Sequence, residues 1–106
     1  MMDTVTLANK SYQLVKKDFQ IEEELILDRE ENAFDRLEEY LIGEINRLLD
    51  KDMGKLLNIL YRIDIQESIV RQILHESPPG TIATHLAKAV IVREKQKVIT
   101  RLANQP

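Results

Sequence analysis

Leu56-Leu57-Asn58-Ile59-Leu60-Tyr61-Arg62-Ile63-Asp64-Ile65-Gln66-Glu67 decides the fold class, because an apolar run at helical spacing ends inside it and another begins with almost no loop between. Met53, Leu56, Leu57, Leu60 and Ile63 line one face of a helix that ends near Ile63. Asp64 stands where an N-cap belongs, and Glu67 follows three residues later as in a capping box. The spacing therefore predicts a fourth helix from Ile65 to about His75, buried through Ile65, Ile69 and Ile73. Ser77-Pro78-Pro79-Gly80 closes it, since proline lacks the backbone donor and restrains the residue before it.

Upstream, Phe34, Leu37, Leu41, Ile45 and Leu48 form a second helical stripe, with Asn32 in a capping position and acidic residues in the first turn, where the helix dipole favours them. Gly43 inside this stripe is expected to serve the close approach of a neighbouring helix. Asp50-Lys51-Asp52-Met53-Gly54 predicts a break or kink before the third helix, with either aspartate able to cap it. A first helix over about residues 5 to 20 follows from Leu7, Ala8, Tyr12, Val15 and Phe19; Ile21 to Leu27 fits either its continuation or a connecting segment packed on the core. Downstream, Thr81 can cap a fifth helix through Ile82, Ala83, Leu86, Ala87, Val90, Ile91, Val98 and Leu102. Residues 82 to 102 would span about 31 Å at 1.5 Å per residue, enough to cross the whole globule. Its apolar face is wide: Ile91, Val92, Val98 and Ile99 suit either a thick monomeric core or a surface for a second copy of the chain, a homodimer.

These elements predict an all-α fold, a compact bundle of four to five helices with no sheet, as one domain over residues 1–106. The absence of cysteine removes disulfides and thiolate chemistry and fits a reducing compartment. No apolar run approaches the roughly 20 residues a membrane span needs, so a cytoplasmic setting with no membrane partner is expected. Net charge is −3, unevenly spread: residues 18–52 hold 13 acidic and 4 basic side chains, whereas residues 88–106 carry +4. The basic last helix opposes an acidic middle, which could align elements within one molecule, steer two copies together or present a face to a partner.

Chemistry finds few materials here. His75 closes one helix and His85 flanks the apolar face of the next, each without a clustered partner, so both read as structural. HExxH, Glu-x-x-His and calcium-loop patterns are all missing, and glycines at 43, 54 and 80 cannot form a phosphate cradle. No catalytic residue, metal site or cofactor is therefore expected. Tyr61, Arg62 and Asp64 are the best polar candidates for a site because they cluster at a tight helix junction. Half-burial, helix-end complementation and capping account for them without a ligand. A helix-turn-helix is disfavoured by Ile65-Gln66-Glu67-Ser68 at the start of the would-be recognition helix, where a carboxylate would meet phosphate. Lys88, Arg93, Lys95, Lys97 and Arg101 offer a better route to nucleic acid, although no aromatic residue accompanies them.

The block from Leu56 to Ile65, with Ile91-Val92-Arg93-Glu94-Lys95-Gln96-Lys97 some thirty residues later, resembles short all-helical bacterial proteins carrying an LLNxLYRIDV-like block and an IxxREKQK-like tail. The resemblance covers mainly the second half of the chain. It implies a helical fold and a cytoplasmic setting, and it lends no catalytic residue. The expectation is a non-enzymatic protein-interaction or accessory module, with Tyr61, Arg62, Asp64, Ile91, Arg93, Lys97 and Arg101 as candidate interaction residues. Weak nucleic-acid binding through the basic C-terminal helix is the alternative.

Overall fold

A computed structural model describes residues 2–104 and contains five helices: α1 (Thr4–Phe19), α2 (Ala33–Lys51), α3 (Met53–Ile63), α4 (Glu67–Glu76) and α5 (Ile82–Ala103). No strand occurs among the described residues, and the expected all-α bundle is the architecture observed. The radius of gyration is 13.8 Å and the longest dimension 39 Å, so α5, about 33 Å long at 1.5 Å per residue, runs most of the length of the molecule. It packs chiefly on α2 and α1, and also touches α3 and α4. One apolar cluster joins all five helices.

The α2 stripe is buried at Ala33, Leu37, Leu41, Ile45 and Leu48, and the α3 stripe at Leu56, Ile59, Leu60 and Ile63. A single residue, Asp52, separates the two helices; its Oδ1 accepts the Lys55 N–H at 3.0 Å and so caps α3. Asp3 does the same for α1 through the Thr6 N–H at 2.7 Å. Asn32 and Thr81 occupy N-cap positions without making side-chain cap bonds; Thr81 Oγ1 instead donates to the Pro78 carbonyl at 2.7 Å. Residues 20–32 are a connecting segment rather than a continued helix, pinned by Ile21 and Leu27 in the core. Asn9 Nδ2 donates to the Leu27 carbonyl at 2.9 Å, and the Tyr12 hydroxyl donates to the Glu23 carbonyl.

The capping box expected at Asp64 is not formed. Asp64 is the residue after the end of α3, in the left-handed conformation at φ 71°, and its N–H bonds the Tyr61 carbonyl while the Ile65 N–H reaches the Leu60 carbonyl. This is a Schellman motif, with buried Ile65 and Leu60 supplying its apolar contact. α4 consequently starts at Glu67, with Gln66 at its N-cap, and its buried residue is Val70; Ile73 is half-buried and Ile69 is 41% exposed. Gln20 ends α1 with the same geometry, φ 56°, and Ile21 N–H bonds the Lys16 carbonyl. Gly43 has no neighbouring atom within 4 Å of where a Cβ would stand, so it does not mediate a close helix approach.

Candidate functional site: the face between α4 and α5

The Schellman turn after α3 brings the two distinctive sequence blocks together. Arg93, on α5, donates from Nε to the Asp64 carbonyl at 3.2 Å and from Nη2 to Asp64 Oδ2 at 3.2 Å. Arg62 turns to the other side, where Nη1 donates to the Asp18 carbonyl at the end of α1 at 3.3 Å. Tyr61 between them is about half exposed. Among the other sequence candidates, Ile91 is buried in the core and presents no surface, Lys97 pairs with Glu94 at 3.0 Å, and Arg101 is exposed beside Lys10, Gln13 and Leu14. Arg93 and Asp64 thus share one place, whereas Arg62, Lys97 and Arg101 lie apart from it.

Beside the Arg93–Asp64 pair runs a groove of about 690 Å³ between α4 and α5, lined by Asp64, Ile65, Gln66, Ile69, Lys88, Ala89, Val92, Arg93 and Gln96. Val92 is 66% exposed. A shallower recess continues along α5 past Val92, Lys95, Gln96, Ile99 and Thr100. Ala89, Val92, Gln96 and Ile99 recur at steps of three and four, so the outer side of α5 carries its own apolar ridge opposite the core stripe. Sequence reasoning found Val92 and Ile99 as surface candidates but expected Ile69 in a core stripe with Ile65 and Ile73; Ile65 lies in the turn before α4, and the inward side of the helix is Val70, Ile73 and Leu74.

The cations around this face have internal partners. Lys88 Nζ lies 3.0 Å from Glu38 Oε1 on α2, Arg93 holds Asp64, and Lys95 Nζ sits 4.5 Å from the centroid of the half-buried Phe34 ring. His85, exposed on α5, contacts Ser77 Oγ through Nδ1 at 3.0 Å, and His75 is exposed at the end of α4. No three His, Asp or Glu side chains gather as metal ligands among the described residues.

On the core side of α5, Glu94 is fully buried at a position flanked by Val90, Ile91 and Val98. Lys97 Nζ is 3.0 Å from Oε1, yet neither carboxyl oxygen receives a well-directed hydrogen bond. Burial pushes the Glu94 carboxyl up to about 7; Lys97 opposes the rise and the neighbouring Asp18 carboxyl adds to it. The signal was present in the sequence, as a glutamate in the i+3/i+4 register of an apolar stripe. In comparisons with known proteins, no family model, curated protein or solved structure matches the chain.

Proposed function

We propose that this chain is a non-enzymatic protein-interaction module that works in the cytoplasm and engages its partner through the face between α4 and α5. The observation that carries this reading is the gathering of exposed Ile69, Val92 and Ile99 along one groove and its continuation. Apolar side chains scattered singly need no explanation, but a contiguous set rimmed by polar groups marks an interaction surface. Tyr61 and Arg62, near the same helix junction, lie outside the groove lining and are read as flanking residues.

The alternative, nucleic-acid binding by α5, has weaker support. Lys88 and Lys95 lie on one side of α5 and Lys97 and Arg101 on another, so the basic residues form no single face for phosphate. Site-specific photo-crosslinking from position 69 in the native cell tests the proposal, with position 43, on the exposed side of α2, as control. A discrete protein adduct at 69 and none at 43 supports it. Adducts indistinguishable between the two positions, or a salt-dependent gel shift with duplex DNA or RNA that Val92→Glu leaves unchanged, would overturn it.

A further inference from the structure

The same chain carries an exposed apolar residue on an acidic surface. In the connecting segment 20–32, Ile26 projects into solvent with 66% of its surface exposed, in a stretch whose exposed charged residues are Glu22, Glu23, Glu24, Asp28, Arg29, Glu30 and Glu31. The backbone beneath it is held: Arg36 Nη1 donates to the Ile26 carbonyl at 2.6 Å, and the Leu25 N–H bonds the Tyr12 hydroxyl at 3.3 Å. Ile26 is therefore an apolar knob on a fixed acidic segment, and the ridge of Val92 and Ile99 is an apolar strip flanked by Lys88 and Lys95.

We propose that the α5 face receives the acidic segment around Ile26 of a second copy of this chain. The inference rests on the reading of that face as a docking surface and names its occupant. Charge selects this pairing over the simplest alternative. Two α5 faces laid on each other would set Lys88 and Lys95 of one copy against the same cations of the other. Pairing α5 with the segment replaces that repulsion by attraction, since residues 20–32 carry 6 acidic side chains against 1 basic. Two unlike patches either pair reciprocally and close as a dimer or add head to tail.

Light scattering across a concentration series tests the contact. At low salt the mass is expected to rise from 12.3 kDa to twice that or beyond, and to fall back in about 1 M salt, where the screening length is only ~3 Å. Ile26→Lys and the double variant Val92→Glu, Ile99→Glu should each remain at the mass of one copy. Mixed together they should associate again, because the first retains an intact α5 face and the second an intact acidic segment. All three positions are exposed, so circular dichroism melts should confirm that the variants fold. Association that survives Ile26→Lys, or a mixture that stays monomeric when the wild type associates, overturns the pairing. A wild type that is monomeric throughout overturns it too. If position 69 then still crosslinks to a different protein, the docking face stands with another occupant; if it does not, both readings fall.

Discussion

Arg93 grips Asp64 by two atoms of different kinds, its Nε on the main-chain carbonyl and its Nη2 on the carboxylate, each at 3.2 Å. The carbonyl belongs to the left-handed residue that ends α3, so the guanidinium fastens α5 to the turn from which α4 departs. The relation between the helices flanking the groove is therefore set partly by a side chain that also lines it.

The two halves of this grip should separate in a double-mutant cycle. The Asp64 side chain is 82% exposed, so its coupling to Arg93, measured by urea unfolding of Arg93→Ala, Asp64→Ala and the double variant, should be about 0.5 kcal/mol. Arg93→Ala alone should cost about 1–2 kcal/mol, because it also strips the bond to the Asp64 carbonyl. A coupling above about 2 kcal/mol would mean that the carboxylate, not the carbonyl, is the principal anchor.

Two backbone positions should be improvable. Gly43 lies exposed inside α2 with open space where a Cβ would stand, so Gly43→Ala should stabilise the chain by about 1 kcal/mol and raise Tm by roughly 4 °C or more. Gln20 holds φ 56° at the end of α1, where an L-residue is disfavoured, and Gln20→Gly should gain about 0.5–1 kcal/mol. Thermal melts of the two variants decide both cases. A loss at Gly43→Ala would reveal a neighbour that the open space does not show.

The fold was legible where apolar spacing alone decides. Leu37, Leu41, Ile45 and Leu48 on α2, and Leu56, Leu60 and Ile63 on α3, are buried as their spacing requires. It was illegible where backbone geometry overrode a side-chain signal. Asp64 and Glu67 have the spacing of a capping box, but the same aspartate can end the preceding helix in the left-handed region, and glycine, the usual mark of that ending, is absent. That choice left Ile65 in the turn and started α4 at Glu67, so the helix packs through Val70, Ile73 and Leu74 while Ile69 faces the groove. Arg93 and Asp64 were both singled out from sequence, but their pairing was not, since residues 29 apart meet only through the packing of α5 across the junction.

Core and ridge should respond oppositely to truncation. Leu41 is fully buried, so Leu41→Ala should cost about 2–5 kcal/mol through lost burial and the cavity left behind. Ile99 is 53% exposed, and Ile99→Ala should change stability by no more than about 0.5 kcal/mol. Unfolding is best followed in dilute solution, where an associating partner cannot contribute. A large loss at Ile99 there would show the ridge to be part of the monomer core.

Glu94 should make stability depend on pH in the direction opposite to that of an ordinary paired carboxylate. Its folded pKa of about 7 lies above the 4.5 of the free side chain, so the folded chain holds this proton more tightly than the unfolded chain does. The resulting stabilisation is complete below about pH 4.5, declines as pH rises, and is gone above about pH 7. Across that window it amounts to about 3 kcal/mol at ~1.4 kcal/mol per pKa unit. Glu94→Gln keeps the shape of the protonated form and removes the titration. The stability of this variant relative to wild type should therefore rise by about 3 kcal/mol between pH 4.5 and pH 8, while carboxylates remote from Glu94 cancel in the comparison. Urea unfolding of both proteins at several pH values gives that difference directly. A difference independent of pH would mean that Glu94 is ionised throughout, with Lys97 compensating its burial fully.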